Sequence, residues 1–356
     1  LIYYAAFIPG LQDLVRTVIC ERLEDVKIRR LTDGAVIFET GVSYDRLNFF
    51  CFNNIFALID IFEQKNPGQN QGPAAIRAHI EKIIYGRKSG GSLRPAAQAL
   101  ISENNKQIQS FRLVCSAENK PVSIDEKIKR EMENYIEQHS SLELNRSKPD
   151  TEFWFLYRNE GFCCFLKRLT NNRQGEKSLH PGELSPQLAW SLCRMAELKH
   201  GETIADPFCG YGSIPSAACR HFPIGKFYAS DIDPCCIRIS KSKLNSKDSR
   251  CEIRRTDFRS VSDFLQSGSL DAVITDPPWG MYRETDIPLQ DLYDRVIVFL
   301  QQFLKDSGRA VILSAAVNEL ETAAGKNRAV MINEKIPVLV SGKKAVAFIL
   351  KKTENK

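Results

Sequence analysis

The run Asp276-Pro277-Pro278-Trp279-Gly280 sets a carboxylate, a proline carbonyl and an aromatic face side by side. Each proline fixes its own φ and keeps the preceding residue extended, so the run forms a rigid turn. It follows the apolar stretch Leu270 to Thr275, which reads as a buried strand. At such a strand end the Asp276 carboxylate and the Pro277 carbonyl project at fixed positions. Both are acceptors, and together they match the two N–H bonds of an exocyclic base amine. Trp279 offers a face for base stacking, worth about 1–3 kcal/mol. An aromatic amine is a poor nucleophile because its lone pair is delocalised into the ring. Two acceptors aligned with its hydrogens favour a pyramidal nitrogen and point the lone pair at an electrophile, which is mainly a positioning effect. This chemistry assigns a catalytic role to Asp276, Pro277, Pro278 and Trp279.

A second constellation could hold the electrophile. Asp206-Pro207-Phe208-Cys209-Gly210-Tyr211-Gly212 follows a short strand and precedes a helix, the first crossover of a doubly wound sheet. Gly210 and Gly212 let the backbone pass close to a ligand, and Asp206 can accept from an ammonium group. Pro215 stands where a dinucleotide fingerprint would have its third glycine, which argues against a pyrophosphate ligand. The next strand ends at Ser230-Asp231-Ile232-Asp233, where a carboxylate can accept from both ribose hydroxyls. Asp231 is the preferred acceptor, with Ile232 beside it, and Asp233 before Pro234 reads as a helix cap. The following strand ends at Thr256-Asp257-Phe258, where Asp257 can accept from an adenine amine and Phe258 can cover the ring. Ammonium, ribose and adenine sites on successive strand ends fit S-adenosylmethionine. The expected cofactor contacts are therefore Asp206, Phe208, Cys209, Gly210, Gly212, Asp231, Ile232, Asp257 and Phe258.

The elements that must position these residues follow from periodicity. Beyond Leu184, strands and helices alternate, so residues 184–356 should form an α/β domain. Its sheet should be doubly wound and Rossmann-like, with strands 335–339 and 345–350 as an antiparallel edge hairpin. Before it, residues 1–65 read as a small α+β unit of strand, helix, two strands and a helix over Leu47 to Phe62. Residues 66–168 read as a second α+β unit, whose strands Phe153–Tyr157 and Phe162–Leu166 alternate so loosely that burial on both faces is expected. Residues 169–183 lose all periodicity and read as a linker. Arg168, Arg173 and Lys177 make it basic, as Arg87 and Lys88 do for the loop 86–92; either segment could meet RNA phosphates.

Composition narrows the classes. The chain has 356 residues, 43% of them hydrophobic, so two or three domains with sizeable cores are expected. A net charge of +6 permits a nucleic-acid partner without requiring one. None of the 11 cysteines stands in CxxC spacing, which suits reduced thiols in a cytoplasmic protein and no metal site. No apolar run approaches the ~20 residues of a membrane helix, and the chain shows no secretory leader pattern.

Asp276-Pro277-Pro278-Trp279 resembles the (Asn/Asp)-Pro-Pro-aromatic signature of amino-group methyltransferases. Taken with Asp206 to Gly212, it is similar to the THUMP-containing RNA guanine-N2 methyltransferases, which usually show Asp-Pro-Phe-Cys-Gly-Ser-Gly-Thr. Tyr211, Ser213 and Pro215-Ser216 depart from that pattern. Phe7-Ile8-Pro9-Gly10-Leu11 and Asp33 to Glu39 resemble the ferredoxin-like domain of this family. Residues 122–169, including Lys148-Pro149-Asp150, resemble a diverged THUMP domain. The resemblance implies a class I methyltransferase domain behind ferredoxin-like (1–65) and THUMP-like (66–168) modules that grip RNA, most simply tRNA. It implies catalysis by Asp276 and Trp279, with ribose on Asp231 and adenine on Asp257. The expected product is N2-methylguanosine, and a small activating subunit is a further candidate partner. Other structured RNA is an alternative substrate. Adenine-N6 or cytosine-N4 methylation of DNA is another reading, and a catalytically silent RNA-binding protein a third. The intact Asp276 motif and glycine turn oppose the last.

Overall fold

The computed structural model describes residues 1–47, 49–63, 72–86, 93, 99–101, 108–170, 179–244, 249–281 and 286–353. The chain forms two compact units. One comprises residues 1–6, 22–48 and 54–172, the other residues 7–21, 49–53 and 173–356.

In chain order the first elements are β1 (Ile2–Phe7), α1 (Gln12–Arg22), β2 (Lys27–Thr32), β3 (Ala35–Glu39), β4 (Phe52–Glu63) and α2 (Gly72–Tyr85). Then come β5 (Ser110–Ala117), β6 (Lys120–Pro121), α3 (Glu126–His139), β7 (Glu143–Leu144), β8 (Thr151–Arg158) and β9 (Phe162–Arg168). All nine strands join one sheet in the order β2-β3-β1-β4-β9-β8-β5-β6, with β7 also on β5. On one face Ile76, Ile80 and Ile83 of α2 and Ile128, Met132 and Ile136 of α3 pack against Phe111, Phe153, Phe155 and Phe165. On the other, Tyr4, Ile37, Phe56 and Leu166 form a separate cluster. The strands β8 and β9 are buried on both faces, as their weak alternation indicated.

One expectation fails here. The stretch Leu47 to Phe62 reads as a helix, but the chain makes a 3-10 turn at Tyr44–Arg46 and then the twelve-residue strand β4. A continuous apolar run carries no period that separates helix from strand. Pairing decides it: β4 lies between β1 and β9 inside the sheet, with a bulge between Leu58 and Asp60. Its Ile and Phe residues suit a strand covered on both sides.

The second unit holds α4 (Pro186–Met195), β10 (Thr203–Asp206), α5 (Ser213–His221), β11 (Lys226–Asp231), α6 (Pro234–Lys243), β12 (Cys251–Arg255) and β13 (Leu270–Thr275). It ends with α7 (Leu289–Phe303), β14 (Leu304–Ser314), α8 (Val317–Lys326), β15 (Val330–Val340) and β16 (Lys343–Lys352). Its sheet runs β12-β11-β10-β13-β14-β16-β15. Strands β10 to β14 pair in parallel, and β16 is antiparallel to both β14 and β15. This is the expected doubly wound sheet with its edge hairpin. Strand order reverses beside β10, and the crevice outside the carboxyl ends at such a point is where open α/β sheets bind ligands.

This unit also draws on the start of the chain. Leu339 N donates to Pro9 O (3.2 Å), Glu21 pairs with Arg194 (2.7 Å), and the Phe50 ring lies 3.9 Å from the His221 ring. Among the described residues no helix is long and apolar enough to cross a membrane. All eleven cysteines are free thiols.

Candidate active site

Four acidic residues stand at the ends of neighbouring strands: Asp206 closes β10, Asp231 closes β11, Asp257 follows β12 and Asp276 follows β13. A parallel sheet aligns these ends because every crossover helix returns the chain to the same edge.

Asp206 is 1% exposed. Its Oδ1 accepts from Thr275 Oγ1 (2.7 Å) and Phe208 N (3.1 Å), while Oδ2 is buried with no partner. Burial pushes the carboxyl up to about 7, against the Thr275 and Phe208 hydrogen bonds; the Asp231 charge adds to the rise. A buried acceptor left open in this way is a strong demand for a donor. An ammonium group would meet it.

The two glycines of the turn divide their work. Gly212, at φ +81°, is the residue from which α5 starts, and a Cβ there would fall 2.3 Å from Ser240 Oγ on α6. Close packing of α5 on α6 therefore requires a glycine here. Gly210, at φ +49°, has open space where a Cβ would sit, and its N–H donates to Asp231 Oδ2 (2.9 Å). Gly212→Ala should lower thermal stability by about 1–3 kcal/mol through strain and overlap. Gly210→Ala should cost less stability yet weaken cofactor affinity. Equal melting temperatures for the two variants would contradict this division.

Asp231 Oδ1 also accepts from Asp233 N (2.9 Å), so the carboxylate is fixed by two backbone donors while each oxygen keeps a free lone pair. Asp233 caps α6, accepting from Cys235 N (2.8 Å) and Cys236 N (3.4 Å). Ile232 between them is 62% exposed. Cys209 is buried, and its N–H donates to Ser230 O (2.9 Å), tying the turn to β11.

Asp257 caps the 3-10 turn Phe258–Asp263 and is paired with Arg259, which also reaches Asp286 (2.7 Å). Arg259 holds the Asp257 carboxyl below the usual carboxylate range. Phe258, expected as a cover for adenine, is instead buried, its ring 4.7 Å from that of Phe208. Phe208 is the half-exposed ring of the pair.

In the turn after β13, Trp279 Nε1 donates to Asp276 Oδ1 (2.8 Å). Part of Asp276 reaches the surface, but its carboxyl is enclosed, and burial pushes it up to about 8. The Asp206 charge adds to the rise, and the Trp279 bond works against it. Thr275 precedes Asp276 and binds Asp206, so the two halves of the site meet across β10 and β13.

Sequence motifs gave no sign of several neighbours. Thr275 lies in an ordinary apolar strand. His180 stacks on Tyr211 (4.6 Å, 17°), and Ser213 Oγ donates to Leu184 O (2.9 Å), which occupies the hydroxyl that departs from the family's threonine. In the other unit, Arg168 does not face solvent as a phosphate contact would. Its guanidinium pairs with buried Glu152 (3.0 Å) and donates to Asn54 Oδ1 (2.6 Å). Arg173, Lys177 and the basic loop 87–92 lie outside the described residues. Among the described residues, no group of three or more His, Cys, Asp or Glu side chains is placed to hold a metal ion.

Sheet order, switch-point crevice and acidic strand ends together define a class I methyltransferase fold. Residues 173–342 match the family described as UPF0020: RMKL-like, methyltransferase domain. The chain is 27% identical over 217 residues to the tRNA (guanine(10)-N2)-dimethyltransferase of Methanocaldococcus jannaschii, covering 56% of this chain and 59% of that one. It is 23% identical over 301 residues to the mouse (Mus musculus) tRNA (guanine(6)-N(2))-methyltransferase THUMP3, covering 78% and 58%. The chain thus spans under three fifths of the length of these two relatives. The crystal structure of TrmN from Thermus thermophilus superposes with a TM-score of 0.74 at 19% identity, over 99% of both chains. SMU.472, solved complexed with SAH, gives 0.69 at 11% identity, over 100% of this chain and 99% of that one. Residues 173–342 thus match a methyltransferase domain, and the chain is similar to RNA guanine-N2 methyltransferases.

Proposed function

We propose that this protein is an S-adenosylmethionine-dependent RNA methyltransferase that modifies guanine N2, with tRNA as its substrate. The observation that carries the reading is the pairing of a fixed acceptor turn, Asp276-Pro277, with an open cationic subsite at Asp206, bridged by Thr275. The names of the relatives support guanine N2 and tRNA.

The residues fit the cofactor. The unpartnered Asp206 Oδ2 would take the ammonium, the space over Gly210 would admit the backbone of the methionine part, and Asp231 would accept from the ribose hydroxyls. Asp257 would face the adenine amine, with the apolar sides of Ile232 and Phe208 about the ring. When bound, S-adenosylmethionine supplies an electrophilic methyl group. Asp276 and the Pro277 carbonyl accept the two N–H bonds of the guanine amine and aim its lone pair. Trp279 holds Asp276 through its indole N–H and presents the flat side chain of the turn to the base. The ionised Asp276 carboxylate then takes the proton that the amine loses as its new N–C bond forms. A base in a stem must be flipped or unpaired to reach this turn.

Division of the N-terminal part into a ferredoxin-like module (1–65) and a THUMP-like module (66–168), with a linker at 169–183, belongs to the same proposal, as does a cytoplasmic location.

The test is incubation of unmodified tRNA with the protein and methyl-labelled donor, followed by nucleoside mass spectrometry. N2-methylguanosine is expected; label appearing only in N6-methyladenosine would move the assignment to adenine. Asp231→Ala should weaken S-adenosylhomocysteine binding by at least about tenfold in calorimetry, because charge-assisted hydrogen bonds to both ribose hydroxyls are lost. Unaltered affinity would transfer the ribose contact to Asp233.

A further inference from the structure

Tyr293 lies on α7, the helix after the acceptor turn, and is fully buried. Its hydroxyl is 3.3 Å from Pro278 O and 2.5 Å from Ser314 Oγ, and Ser314 Oγ is 2.9 Å from Ala316 N. Hydrogen inventory fixes the direction of this chain. A carbonyl oxygen only accepts, so Tyr293 must donate to Pro278. Having spent its one proton, the phenol can only accept from Ser314. Ser314 Oγ in turn accepts from the Ala316 N–H. Four groups therefore align in one sense, from Ala316 N–H through Ser314 and Tyr293 to the Pro278 carbonyl. Ser314 is also fully buried, so no water competes, and aligned chains of this kind strengthen each member.

The target of the chain matters. Prolines 277 and 278 have no N–H to fasten the turn to its neighbours. Asp276 is held from one side by Trp279, and Thr275 ties the preceding residue to Asp206. The Pro278 carbonyl is the next handle along the backbone, and Tyr293 grips it from α7, backed by Ser314 at the end of β14. We propose that Tyr293 and Ser314 are positioning residues that lock the Asp276-Pro277-Pro278-Trp279 turn in its acceptor geometry. Neither touches the base or the cofactor. The inference rests on the reading of this turn as the methyl-acceptor site.

The chain makes an ordered prediction. Tyr293→Phe removes the grip on Pro278 and should lower kcat about tenfold, because a small loosening of reacting groups is costly. Ser314→Ala leaves that grip but removes its support, so kcat should fall about two- to threefold. In both variants the affinity for S-adenosylhomocysteine should stay within about twofold, since the chain does not reach Asp206, Gly210 or Asp231. A readout independent of activity is 19F NMR of the protein labelled with 5-fluorotryptophan. The chain has three tryptophans, and Trp279→Phe identifies the resonance of Trp279. That resonance should shift or broaden in Tyr293→Phe while the other two hold their positions. An unchanged Trp279 signal in both variants overturns the proposal, as does an unchanged kcat in an active enzyme. If the wild type methylates no guanine while the Trp279 signal still responds, the lock stands and the reading of the substrate falls. Should Tyr293→Phe not fold, Ser314→Ala carries the same comparison.

Discussion

Asp276→Ala is expected to reduce methyl transfer by about three orders of magnitude while leaving S-adenosylhomocysteine affinity within about twofold. The carboxylate aligns one N–H of the acceptor and takes its proton, and such combined positioning and acid–base roles are worth about 10²–10⁴-fold. Cofactor affinity survives because Asp276 stands in the turn after β13, while the ammonium and ribose acceptors stand at the ends of β10 and β11. The pH dependence sharpens the test. Burial raises the Asp276 carboxyl to about 8, so near neutrality the free enzyme holds it mostly protonated. A protonated carboxyl cannot accept the amine proton. The rate should therefore climb as pH rises through about 8, and Asp276→Asn should lose that climb together with the activity. Transfer by Asp276→Ala at the wild-type rate would remove the carboxylate from the mechanism.

Asp206→Asn should produce two opposite effects. Between about pH 4 and 7 the folded protein retains a proton on Asp206 that the unfolded chain has released, since the native carboxyl titrates at about 7. Stability then falls as pH rises through that window, and the full cost is present above 7. An amide carries no such cost, so the cofactor-free variant should melt several degrees higher than wild type at pH 8. Its cofactor affinity should nevertheless fall by about 10- to 100-fold, the range for a hydrogen bond between charged groups. In the wild type that affinity should improve as pH rises toward 7 and Asp206 ionises. If the variant melts lower and binds equally well, Asp206 is a structural group and not the ammonium acceptor. Trading stability for binding in this way is common where a buried polar atom waits for a ligand.

Much of this was legible in the residue order, for local reasons. The Pro-Pro turn after a buried strand is a short-range property, so Asp276 and Trp279 could be assigned to one turn before any fold was known; their 2.8 Å hydrogen bond is a finding of the structure. The alternation of strands and helices beyond Leu184 dictated a parallel sheet, and a parallel sheet puts every βα turn at one edge. Asp206, Asp231, Asp257 and Asp276 were found by that rule. Asp233 also identified itself, because an Asp-Pro pair at a helix start is a local signal.

What depends on long-range contact was not legible. β4 became a strand because two neighbours offered it hydrogen bonds, which no apolar count could foresee. Gly212 and Gly210 look alike in sequence, and only the position of Ser240 separates packing from ligand approach. Arg168 looks like an RNA contact until buried Glu152 and Asn54 claim its guanidinium. Phe258 turned inward against Phe208. Tyr293 and Ser314 sit 15 or more positions from the Pro278 carbonyl they serve, without a motif of their own. The sequence by itself determined the chemistry of the turn and the edge of the sheet where it would stand, because both follow from neighbouring residues. Tertiary structure alone decided which side chains hold that turn, and how far burial moves its carboxylates, because both depend on groups brought together only when the chain folds.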